Sequence, residues 1–158
     1  KILFKLEAYK ESIDAYHFVM NTMVDIRPED ILEYTSIILA ENNKNFSKAI
    51  DVIDFGLAKV GANTLSLQLK KLEYLKKSGQ VEKTIEQYNY FILEYQRKEF
   101  WYYKKAAYLA SVNKPIDANI SLKLATATIE KLDTKFKNMD SILELKKEIK
   151  SLESTINN

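Results

Sequence analysis

The stretch Leu72-Glu73-Tyr74-Leu75-Lys76-Lys77-Ser78-Gly79-Gln80-Val81-Glu82-Lys83-Thr84-Ile85-Glu86-Gln87-Tyr88-Asn89-Tyr90-Phe91-Ile92-Leu93-Glu94-Tyr95 decides the fold. It reads as an amphipathic helix, a tight turn at Ser78-Gly79-Gln80 and a second amphipathic helix. Gly79 suits a left-handed helix C-cap, because it has no Cβ to clash there. Such a hairpin cannot bury its apolar faces alone, so copies of it should recur along the chain.

The copies are present. Tyr9, Phe46, Val81 and Ile116 each open a second helix, at steps of 37, 35 and 35 residues. Four residues on stand Ile13, Ile50, Ile85 and Ile120; seven on, Tyr16, Ile53, Tyr88 and Lys123; eleven on, Met20, Leu57, Ile92 and Ala127. These offsets trace one helical face and predict a buried stripe. A small or short polar side chain follows each start by three (Ser12, Ala49, Thr84, Asn119), where a neighbouring helix can approach. The first helices align through Leu32, Leu67 and Tyr102, then Ile37, Leu72 and Ala107, then Ala40, Leu75 and Ala110.

Turns and breaks fall between these faces. Asn42-Asn43-Lys44-Asn45 and Asn113-Lys114-Pro115 match the Gly79 turn in position. Pro28 should open a helix running to about Glu41, since proline fits a first helical turn. The boundary around Arg97-Lys98-Glu99-Phe100-Trp101 carries neither Gly nor Pro and has no clear break. Ser141 with Glu144 three residues on is a capping-box pattern. The helix that follows places Ile142, Leu145, Ile149, Leu152 and Ile156 on one face, as a terminal cap would.

Composition agrees with long helices. The 158 residues are 46% hydrophobic and 29% charged, with three glycines and two prolines, too few for a turn-rich β fold. The net charge of +2 implies no general attraction to nucleic acid or membrane. No apolar run approaches the roughly 20 residues of a membrane span. The absence of cysteine excludes disulfides, thiolate metal sites and cysteine nucleophiles. His17, the single histidine, lies beside the buried stripe of its helix. With no Gly-rich phosphate loop, nucleophile elbow or Cys/His cluster, the expectation is a non-enzymatic protein with no catalytic residue, metal or cofactor. The start, already helical in pattern at Lys1-Ile2-Leu3-Phe4-Lys5-Leu6, reads as a cut into a longer protein, and the compartment stays open between cytoplasm and periplasm.

A helix–turn–helix unit of about 34 residues, with a small residue and then an aliphatic one in its second helix, resembles the tetratricopeptide repeat. Leu72–Tyr88 carries the resemblance best, and Phe46-Ser47-Lys48-Ala49-Ile50 and Tyr9-Lys10-Glu11-Ser12-Ile13 repeat the second-helix signature. The family's early Trp in the first helix and its closing Pro are missing. The resemblance implies an all-α fold, a right-handed α-solenoid of stacked antiparallel helix pairs with a C-terminal capping helix. As a single domain it has repeat units at about 1–24, 28–61, 64–96 and 100–132 and a cap at 140–157.

It further implies a scaffold that binds a peptide or partner helix in the concave groove of its first helices. In the register above, that groove is lined by Ile31, Ser66 and Trp101, by Tyr34, Leu69 and Lys104, by Ile38, Glu73 and Tyr108, and by Glu41, Lys76 and Ser111, with Lys105 beside them. Trp101 can anchor a partner there or pack between repeats. Some members clamp a peptide's terminal carboxylate with Lys and Asn; Lys104 matches one such Lys, but Leu69, Glu73 and Tyr108 stand in the Asn places, so no such clamp is implied.

Residues 25–67 carry four basic and seven acidic side chains, while 68–105 carry nine and five. The doublets Lys70-Lys71, Lys76-Lys77, Arg97-Lys98 and Lys104-Lys105, interleaved with Tyr74, Trp101 and Tyr108, leave three readings open. These are an acidic peptide ligand, single-stranded nucleic acid over 68–108, and a solvated helix face. A spacer or dimerisation role for the repeats is a further alternative.

Overall fold

The computed structural model describes residues 2–22 and 25–158. Lys1 and residues 23–24, which the first expected repeat unit includes, lie outside the described residues. Among the described residues the chain is all-helical with no strand. The helices are α1 (Ile2–Thr22), α2 (Pro28–Glu41), α3 (Phe46–Val60), α4 (Leu65–Lys77), α5 (Val81–Glu94), α6 (Lys98–Ser111), α7 (Pro115–Glu130), α8 (Thr134–Lys137) and α9 (Asp140–Asn157). Two compact units divide the chain, Lys1–Val81 and Glu82–Asn158.

In the first unit, α2 packs on α1, α3 and α4. Ile13, Met20, Ile31, Tyr34, Ile38, Ala49, Ile50, Ile53, Leu57, Leu67, Tyr74 and Leu75 form its core. Pro28 opens α2 and Glu41 closes it, as the sequence leads one to expect. The Asp30 carboxylate accepts hydrogen bonds from the Arg27 backbone N–H at 3.1 Å and from its guanidinium, which satisfies a free donor at the helix start. α2 and α3 meet closely because Gly56 has no side chain: a Cβ there would lie 2.3 Å from Ile31 Cδ1. One buried polar pair ties α2 to α4. The Thr35 hydroxyl donates to the Leu32 carbonyl at 2.8 Å, so the Tyr74 hydroxyl, 2.9 Å away, is the donor to Thr35 Oγ1.

In the second unit, α6 packs along α7, and α9 covers both. Ala106, Leu122, Ala125, Ile129, Ile142, Leu145 and Ile149 make that core, with Leu152 and Ile156 half-buried at its margin. The last helix thus lays Ile142, Leu145 and Ile149 against α6 and α7. Its first residue differs from expectation: the N-cap is Met139, and Ser141 lies inside the first turn. The short α8, absent from the sequence reading, feeds Met139 into place through a hydrogen bond to the Phe136 carbonyl at 3.1 Å.

Two turns are the same structure. Gly79 (φ 72°) and Asn113 (φ 61°) both adopt the left-handed conformation. At each, the next residue's N–H reaches back five residues (Gln80 to Leu75 at 3.2 Å, Lys114 to Leu109 at 2.9 Å), a Schellman closure. These turns are 34 residues apart, and that distance corrects the repeat register. The buried small-residue column is Ala49, Thr84 and Ala118, with Ile53, Tyr88 and Leu122 four on and Gly56, Phe91 and Ala125 seven on. The expected stripe of Ile116, Ile120, Lys123 and Ala127 is exposed. One residue of misalignment turns a helix by 100°, enough to carry a column off the buried face. The first helices shift similarly: their buried columns are Thr35, Leu72 and Ala106, then Ile38, Leu75 and Leu109.

Candidate partner-binding surface

The corrected register redistributes the residues expected to line a groove. Tyr34 and Ile38 belong to the core of the first unit, together with Ile31. Tyr108 is buried against Tyr88, with ring centroids 5.7 Å apart. These four side chains are structural, because α2 is offset by two residues and α6 by one from the alignment that put them in the groove.

What remains on α4 is a solvent-facing strip. Leu65 and Leu69 are 44% and 41% exposed and lie one turn apart, with Glu73 and Lys76 continuing the same face. Glu73 is held from two sides, by Lys70 Nζ and Lys77 Nζ, each at 2.8 Å. Those two hydrogen bonds keep its carboxyl below the usual carboxylate range. The side chain is therefore a negative charge held in place between the exposed Leu69 and the exposed Lys76.

On α6 in the second unit, Trp101 is half-buried and stacked on Phe91 of α5, centroids 4.2 Å apart and planes within 6°. The packing reading of Trp101 therefore applies to one face of its ring. Lys104 Nζ sits 4.6 Å from the ring centroid, a cation–π contact at an exposed site. Lys105 donates to Asn89 Oδ1 at 2.8 Å, and burial lowers its pKa.

Internal partners occupy most of the lysine doublets. Lys71 pairs with Asp54 at 2.7 Å, Arg97 with Glu99 at 2.7 Å, and Lys98 Nζ donates to the Ile92 carbonyl. The sequence gives no sign of the Arg97 contact, which makes the break that composition leaves obscure. Arg97 takes a left-handed backbone (φ 64°) between α5 and α6, and Glu99 is 1% exposed beneath it.

A further cleft, of about 250 Å³, opens in the first unit among His17, Met20, Tyr34, Lys48, Asp51, Val52 and Phe55. Among the described residues no group of three or more His, Asp or Glu is placed to hold a metal ion, and no helix is long and apolar enough to cross a membrane. No family model, curated protein or solved structure matches the chain.

Proposed function

We propose that this chain is a non-enzymatic protein-interaction module of the tetratricopeptide type, a right-handed α-solenoid whose first helices receive a peptide or helix of another protein. The observation that carries the reading is the α4 face. Leu65 and Leu69 stand in solvent beside a pinned Glu73 and a free-standing Lys76, the combination of apolar anchor and fixed charge that gives an interface both affinity and register. Trp101 with Lys104 supplies an aromatic and basic patch of the same kind in the second unit. The recurring 34- to 35-residue spacing of Ala49, Thr84 and Ala118 supports the repeat assignment.

The phosphate-binding alternative loses ground to the ion pairs. Lys70, Lys71, Lys77, Arg97 and Lys105 are each engaged within the chain, so neutralising phosphates would first require breaking these contacts. Affinity capture from the source proteome followed by quantitative recovery tests the assignment. Leu69→Asp with Lys76→Glu, and separately Trp101→Ala with Lys104→Glu, should each lower recovery of a captured protein while leaving the helical circular-dichroism signal intact. Unchanged recovery with both pairs overturns the surface assignment. Binding to single strands that falls steeply with salt would favour the nucleic-acid reading instead.

A further inference from the structure

The cleft of about 250 Å³ in the first unit carries an unpaired polar group on its floor. Met20 of α1, Tyr34 of α2 and Val52 and Phe55 of α3 give it apolar walls, with Lys48 and Asp51 exposed at the rim. Tyr34 is only 2% exposed, yet no described residue hydrogen-bonds its hydroxyl. That oxygen is not sealed off either: among the described residues, Glu99 Oε2 is the one side-chain polar atom both sealed and unpaired. The opening that Tyr34 lines is the cleft. A buried tyrosine ordinarily finds a partner for its hydroxyl, and here donor and acceptor both stand ready for one. Stacking on Tyr16, with centroids 5.8 Å apart and planes within 12°, holds the ring in place.

We propose that this cleft is a binding site for an apolar organic cation, a primary ammonium on an aromatic or aliphatic body about one ring in size. The room suffices, since a dry cavity of about 150 Å³ already holds a benzene-sized body. The sign of the charge follows from the groups at the mouth. Asp51 of α3 and Asp14 of α1, one turn before His17, are exposed carboxylates with no ion-pair partner among the described residues. Lys48 is the opposing charge, and it makes no ion pair with Asp51 three residues away. Two carboxylates against one lysine favour a cation. Burial, and after it the Asp14 charge, raises the Tyr34 pKa, so the hydroxyl keeps its proton at neutral pH and its oxygen accepts from an N–H. Lys59 lies over the Phe55 ring at 5.5 Å, so that ring offers an apolar wall rather than a cation–π face. The ammonium donates to Tyr34 Oη and lies near the two carboxylates, with its body against Met20, Val52 and Phe55. The cleft shares no residue with the α4 face.

Titration of the full chain with phenethylammonium, followed by amide and methyl chemical shifts, tests the site, with phenylacetate at equal ionic strength as the charge-reversed probe. Shifts should saturate around His17, Met20, Tyr34 and the Lys48 to Phe55 turns of α3, and phenylacetate should bind at least about tenfold more weakly. Tyr34→Phe keeps the ring and removes one hydrogen bond to a charged group, so affinity for the ammonium should fall about tenfold. No internal hydrogen bond is lost with that hydroxyl, so the stability of Tyr34→Phe in urea should not fall. At the exposed rim, Asp51→Asn should weaken the ammonium roughly threefold and Lys48→Gln should tighten it by about as much. Equal or tighter binding of phenylacetate, shifts that do not saturate or that spread along the chain, ammonium affinity unchanged by Tyr34→Phe or by Asp51→Asn, or a loss of stability in Tyr34→Phe overturns the proposal.

Discussion

Arg97 holds a left-handed conformation that costs a residue with a Cβ on the order of 1–2 kcal/mol. What stabilises it is the carboxylate of Glu99, buried at 1% exposure, with Arg97 Nε 2.7 Å from Oε1 and Oε2 without a hydrogen-bond partner. The guanidinium also lies over the Phe100 and Phe136 rings, at 5.5 and 5.9 Å. Removing Arg97, itself 41% exposed, leaves the buried Glu99 carboxyl without its partner, whereas replacing both with apolar groups does not. Arg97→Ala should thus destabilise the chain by about 1–3 kcal/mol, and Arg97→Ala/Glu99→Met should recover most of that loss, as read by urea denaturation.

Tyr88 shows the same desolvation logic for a neutral group. Burial, reinforced by Tyr108, pushes its pKa from 10.0 to about 12. The folded state therefore keeps its proton where the unfolded chain loses it, and stability should fall as pH rises from 10 to 12. Tyr88→Phe should flatten that part of the stability curve.

At the scale of the element, α7 shows how a helix can be recognised and its faces exchanged. Pro115 and the periodic isoleucines declare a helix, and the helix is there. Yet the column shared with Ile13 and Ile50 is at Ile120 in the sequence alignment, whereas Leu122 is the residue at 0% exposure. The difference has an energetic signature. Leu122→Ala empties a buried site and should cost about 2–5 kcal/mol, while Ile116→Ala on the outer face should stay within about 0.5 kcal/mol when measured in dilute solution. A reversal of that order in chemical denaturation would restore the original alignment. In α4, where the register is unchanged, Leu69 and Lys76 are exposed and Glu73 is half-exposed.

For the molecule as a whole, the division into two compact units has a measurable consequence. Each unit holds its own cluster of fully buried side chains, around Ile31, Ile38 and Ile53 in one and around Leu122, Ile142 and Leu145 in the other. Ile53→Ala removes packing from the first cluster alone. Amide hydrogen exchange should then accelerate across α2 to α4 more than across α6 to α9. Uniform acceleration along the chain would show that the units open as one.

The residues by themselves determine the all-helical class, the α2 start at Pro28, the left-handed turns at Gly79 and Asn113, and the apolar face of α9. Each of these depends on local chemistry or on a period of 3.6, which a single chain displays openly. Which face of α2, α6 and α7 turns inward was decided only in the tertiary structure. There, spacings of 37 and 34 residues replace a uniform 35, and Ile31 fits only because Gly56 leaves it room. Periodicity specifies that a helix has an inner side; close packing against a particular neighbour selects which side that is.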